Sequence, residues 1–133
     1  MPYQGYPDGL YLVKQRSLTK GVEHYGILDI GNRRYDPNFW DGRPAVIHQV
    51  YPALRVDEFE GTGAWAVMGW ITNEVMAFAR MREAEKNPYY DLFGNNCEHF
   101  ARFVATGKRE SRQLQGAVIV AGVLAVAAMM IME

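Results

Sequence analysis

From residue 116 to residue 132 the chain runs for 17 residues without one charged or strongly polar side chain, and Glu133 closes it. As a helix this run is about 25 Å long at 1.5 Å per residue, near the lower limit for crossing a hydrocarbon core of about 30 Å. A helix apolar on every face must be covered on every face, and a domain this small has little protein with which to cover it. The run is therefore expected to leave the fold and act as a single-pass membrane anchor at 116–133, with residues 1–115 forming one domain. Lys108, Arg109 and Arg112 precede the run and no cation follows it. By the positive-inside tendency the domain is expected on the cytoplasmic face. Ala117, Ala121 and Ala125 recur every fourth residue. Two such helices can approach along this small-residue ridge, which permits a homodimer.

The domain carries little net charge. Lys plus Arg total 14 and Asp plus Glu total 15, giving −1, so nothing in the balance draws the chain to nucleic acid. Residues 1–10 hold Pro2, Pro7 and Asp8 in place of a charged start and an apolar run, so no secretory signal is expected. Cys97 is the single cysteine, which excludes an internal disulfide and fits a reducing compartment.

Hydrophobic spacing divides the domain. Residues 10–13, 25–30 and 45–50 are short apolar runs bounded by Pro, Gly and Asn turn signals and read as strands, with a shorter one at 54–56. Residues 73–86 read as an amphipathic helix with Val75, Phe78 and Ala79 apolar, stopped by Asn87-Pro88. A second helix at 98–106 carries the stripe Phe100, Phe103, Val104 and ends at Gly107. Residues 61–70, with three glycines and two tryptophans, match neither period, and 31–44 reads as a surface loop or extended hairpin.

The string Asn95-Asn96-Cys97-Glu98-His99-Phe100 places the lone thiol where turn-forming asparagines give way to a helix. Unpaired N–H groups and the positive dipole end favour thiolate there, which is expected to lower the thiol pKa from about 8.5. The same N–H groups suit an oxyanion. A thiolate nucleophile needs a base, and the chain has three histidines, His24, His48 and His99. His99 stands two residues from Cys97, on another side of the helix, and is expected to pack or cap. His24 opens one strand, and His48 lies within another, where it can bond the far nitrogen of His24 and set its tautomer. Three histidines and one cysteine without metal-site spacing call for no metal or other cofactor. The commonplace alternative is that Cys97 is a small buried hydrophobe.

Tyr90-Asp91-Leu92-Phe93-Gly94-Asn95-Asn96-Cys97-Glu98-His99-Phe100, followed by Thr106-Gly107-Lys108, resembles the nucleophile box of the lecithin retinol acyltransferase-like family. Pro7-Asp8-Gly9-Leu10, His24-Tyr25-Gly26-Ile27 and Arg55-Val56-Asp57-Glu58-Phe59 resemble, in order, its opening strand, its histidine strand and the segment leading to its central helix. The resemblance implies an α+β fold, a circularly permuted papain-like domain related to NlpC-type peptidases, in which a small antiparallel sheet packs on helices. It implies Cys97 as nucleophile, His24 as base and His48 as the orienting third residue. The family's two histidines are closer in sequence, which implies an insertion around 32–43; Asp29, Asp36, Asp41 and Gln49 are further candidates for the third role. Asp29 lies five residues from His24 on one strand and so on its opposite face. The implied activity is a thiol acyltransferase or phospholipase A-type acyl hydrolase, acting on phospholipid or other acyl esters at a membrane. Two rivals are a cysteine peptidase or amidase of the wider fold group and an inactive membrane-anchored interaction module.

Overall fold

The computed structural model of the chain describes residues 5–16, 23–31, 43–61, 63–89 and 96–109. The anchor helix and dimer ridge expected at 116–133, the upstream part of the cysteine box at 90–95 and the connection at 32–42 lie outside the described residues. Among the described residues no helix is long and apolar enough to cross a membrane.

Five strands and two helices form an α+β arrangement: β1 (Gly9–Arg16), β2 (Glu23–Ile30), β3 (Ala45–Gln49), β4 (Leu54–Glu58), β5 (Ala66–Ile71), α1 (Glu74–Glu85) and α2 (Cys97–Thr106). The strands make one sheet in the order β4-β3-β2-β1-β5, each neighbouring pair antiparallel. β1 to β4 fall on the four apolar runs expected as strands. β5 fills the stretch that matched no period. It is an edge strand with Met68 and Trp70 exposed, and its pairing with β1 shifts register between Leu12 and Val13. Both features blur the two-residue alternation that a half-buried strand displays.

The central strands are apolar on both faces because both faces are covered. One face presents Leu10, Tyr25, Ile27, Ile47 and Ile71 to Ala77, Met81 and Ala84 of α1 and to Phe100, Ala101 and Val104 of α2. The other gathers Tyr11, Val13, Leu28, Ile30, Val46 and Phe59, with Trp65 and Val67 against them. Phe100 is fully buried, and truncating such a ring to Ala costs about 3–5 kcal/mol.

Helix ends follow local chemistry. The Asn73 side chain accepts the N–H of Met76 at the start of α1, and Gly107, with φ 84°, closes α2 in the left-handed conformation. The inward stripe expected on α1 needs correction. Ala77, Met81 and Ala84 are buried one turn apart with Phe78 packed beside them, whereas Val75 is 79 % exposed.

Candidate active site

Cys97 is the first residue of α2, and the capping of that helix decides which N–H groups face it. Asn96 is the N-cap: its side chain accepts the His99 N–H at 2.9 Å, and the His99 ring accepts the Asn96 N–H in return. This capping box occupies the groups at the cap and the third residue. The N–H groups of Cys97 and Glu98 lie against the sulfur instead, where they favour its ionised form. His99 thus caps the helix, as its place in the turn implied.

α2 packs its amino terminus against the start of β2. The Cys97 thiol donates to the Glu23 carbonyl at 3.9 Å, and the Tyr25 N–H is directed at the same sulfur. The two backbone groups belong to the residues on either side of His24. The position is open to the thiol because β3 pairs with β2 only from Ile27↔Ile47 to Asp29↔Ala45, leaving the first turn-end of β2 without that neighbour. The sulfur is half-buried. Burial raises the thiol pKa and the negative charge of Glu98 adds to this, against the N–H groups that lower it. The expected depression is therefore corrected: desolvation outweighs the helix terminus, and the resting group is a thiol.

On the opposite face of the sheet, a line of three side chains crosses three strands. His24 Nε2 lies 2.7 Å from His48 Nδ1, and His48 Nε2 lies 2.7 Å from Asp57 Oδ2. The long connection between the histidines leaves this meeting intact, because an insertion between antiparallel strands lengthens the loop without changing register. Continuing the β2–β3 register sets Gly26 opposite His48, with His24 two residues away on the same face. Gly26 supplies the room: a Cβ there would stand 2.8 Å from Val46 Cγ2 and 3.3 Å from His48 Cβ.

The charge states along the line fix the tautomers. Burial opposes ionisation of Asp57, but hydrogen bonds from His48 and Arg55 outweigh it and hold its pKa below the usual carboxylate range. Burial lowers His48 more than Asp57 restores it, and burial with the neighbouring His48 pushes His24 down to about 4. An ionised Asp57 beside two neutral rings requires His48 to donate from Nε2, so its Nδ1 accepts from His24 Nε2. His24 Nδ1 is then the ring nitrogen with the free electron pair. Trp65 packs across both rings, 5.5 Å from the His24 centroid and 6.0 Å from that of His48. A groove of about 280 Å³, lined by Lys14, Gln15, Glu23, Ala64, Trp65 and Ala66, passes this indole.

Of the sequence candidates, the structure joins His24 to His48 and sets Cys97 against the backbone beside His24. Asp29 is buried on β2, and Gln49 donates to the Pro88 carbonyl at 2.6 Å. Asp36 and Asp41 lie outside the described residues. Asp57, which completes the line, was absent from the sequence candidates. Strand parity was the available signal, since β4 pairs His48 with Arg55 and puts Asp57 two residues further on the same face. Among the described residues no three His, Cys, Asp or Glu side chains converge as metal ligands do. Comparison with protein-family models, curated proteins and solved structures gave no match.

Proposed function

We propose that this chain is a cysteine-dependent acyl hydrolase or acyltransferase of the lecithin retinol acyltransferase-like kind, with a permuted papain-like domain. The observation that carries it is the Asp57–His48–His24 line, which leaves one His24 ring nitrogen with a free electron pair, together with a lone thiol at a helix amino terminus that contacts the backbone of the residues on either side of His24.

A thiol with a raised pKa and an imidazole near 4 rest as a neutral pair. Proton transfer from Cys97 Sγ to His24 Nδ1 accordingly accompanies attack on the acyl carbon instead of preceding it. For this the thiol must leave the Glu23 carbonyl, a tightening that substrate binding commonly brings about. The sulfur–carbon bond forms as the carbonyl oxygen gains charge, held by the N–H groups of Cys97 and Glu98. His24, now an imidazolium, donates from Nε2 to His48, and His48 donates to the Asp57 carboxylate, which spreads and offsets the new charge. The Nδ1 proton passes to the departing alcohol. Water or an acceptor amine or alcohol then attacks the thioester, His24 takes its proton, and the sulfur leaves as a thiol once more.

The substrate class is phospholipid or another acyl ester, supported by the resemblance of the cysteine box and by the apolar segment at 116–132 as a membrane anchor. An anchor raises the local concentration of a poorly soluble substrate. Purified full-length protein in detergent, given phospholipid, a short-chain water-soluble ester and a peptide amide side by side, should release or transfer acyl groups from the esters. Cys97→Ala should do neither. Cleavage of the peptide alone would assign the site to a peptidase, and equal turnover by Cys97→Ala would remove it from the chemistry altogether.

A further inference from the structure

A second set of polar side chains, separate from the histidine line, lies on the helix-bearing face directly under Cys97. Glu98 follows the thiol in the chain, and its carboxylate is fully buried. Arg102, one helical turn on and 7 % exposed, donates from Nε to Glu98 Oε2 at 2.6 Å. The Arg102 guanidinium also lies over the Tyr25 ring, 5.2 Å from its centroid. The Tyr25 hydroxyl donates to Glu23 Oε2 at 3.0 Å, and Lys14 pairs with the other Glu23 oxygen at 3.1 Å. Four side chains, Glu98, Arg102, Tyr25 and Glu23, thereby connect the residue after the proposed nucleophile to the two residues that flank the proposed base, and Lys14 carries the connection on to β1.

A contact between a helix and a strand needs no charge to be stable, since a buried ion pair gives no more stability than well-packed apolar residues of the same volume. What an ion pair adds is direction and field. Glu98 alone would place an uncompensated negative charge beside the sulfur and oppose its ionisation; Arg102 alone would do the reverse. The pair, with the guanidinium oriented by Tyr25, leaves only part of the Glu98 charge acting on the thiol while holding α2 in register on β2. The other titratable groups on the elements packed about the sulfur are Glu23 and Tyr25 on β2, Lys14 on β1 and His99 on α2, with His24, His48 and Asp57 on the opposite face of the sheet. Lys14 and Glu23 pair with each other, as do His48 and Asp57. The Glu98–Arg102 pair is the balance nearest the sulfur in sequence.

We infer that Glu98 and Arg102, oriented by Tyr25, are positioning residues that hold Cys97 between Glu23 and Tyr25 and set the acidity of its thiol. This rests on Cys97 being the nucleophile, but its test needs no substrate. Cys97 is the only cysteine, so the pH dependence of alkylation of the full-length protein by iodoacetamide reports this one thiol. Glu98→Gln and Arg102→Gln each take one charge out of the same hydrogen bond and leave opposite charges behind. At a pH below both midpoints, alkylation should quicken about threefold or more in Glu98→Gln and slow by about the same factor in Arg102→Gln, because each unit of pKa is tenfold in thiolate. The double replacement should fall between the two single variants. A purely structural pair would move both single variants the same way, and that result, or unchanged midpoints, would overturn the assignment. Either single variant that retains its fold by circular dichroism is enough, since each carries its own sign. If neither does, Arg102→Lys keeps the charge and should keep the parent midpoint; a raised one overturns the assignment equally. Loss of ester turnover with these shifts intact would count against the proposed reaction and leave the balance standing.

Discussion

Replacing Asp57 by Asn should be more damaging than removing its side chain, and the reason lies in the hydrogen-bond directions. Asp57 Oδ1 accepts from Arg55 at 2.9 Å while Oδ2 accepts from His48 Nε2 at 2.7 Å. In Asp57→Asn the amide oxygen is kept by Arg55, which turns the NH₂ toward His48. His48 Nε2 must then accept, its Nδ1 donates to His24 Nε2, and the proton of His24 moves to Nδ1, the nitrogen needed as base. Restoring the working tautomer would give up a hydrogen bond and set two buried donors face to face. That costs roughly 2–5 kcal/mol, equivalent to about a thirtyfold to several-thousandfold loss of kcat. Asp57→Ala removes the orienting carboxylate but imposes no tautomer, so its loss should be smaller. The assay is steady-state hydrolysis of a soluble ester at pH 7.5 with thermal unfolding beside it, since Asp57 is only partly buried and both variants should stay folded. Activity of Asp57→Asn equal to the parent, or above that of Asp57→Ala, would refute the tautomer assignment.

Gly26→Ala should cost about 1–3 kcal/mol by overpacking and lower ester turnover with it, because the added methyl meets Val46 Cγ2 at 2.8 Å and displaces His48; calorimetry and kinetics on one preparation check this. Stability should fall as pH is lowered from about 6.5 toward 4, because His24 takes its proton in the unfolded chain near 6.5 but in the folded chain only near 4. After discounting a ring partly open to solvent, the His24 share is about 2 kcal/mol, fully present above pH 6.5. His48 and Asp57, both lowered, act with the same sign. Urea denaturation across this range, repeated with His24→Ala, should show a flatter dependence in the variant.

Apolar runs bounded by Pro, Gly and Asn marked β1 to β4, and Gly107 marked the end of α2, because those signals are local and strong. β5 was hidden by its edge position and register shift. α1 was found but turned wrongly: its inward residues are two alanines and a methionine, which hydrophobic contrast ranks no higher than the exposed Val75. At the site, residue type and helix position pointed to Cys97, and strand position to His24 and His48. Asp57 escaped because its role depends on which strand neighbours β3, a matter of register between segments. The direction of the Cys97 shift escaped for a similar reason. A helix amino terminus is visible in sequence, whereas the desolvation that outweighs it depends on how closely α2 lies on β2.

Intact-protein mass spectrometry after brief incubation with an activated short-chain acyl ester tests the central claim most directly. One acyl group should appear on the parent protein, map to Cys97 and be released by neutral hydroxylamine as a thioester is. Cys97→Ala should acquire no such label, and His24→Ala should acquire it at least a hundredfold more slowly, about the contribution of a general base. Acylation at another residue, or labelling of Cys97 at the parent rate in His24→Ala, would contradict the assignment of thiol and imidazole as one catalytic pair.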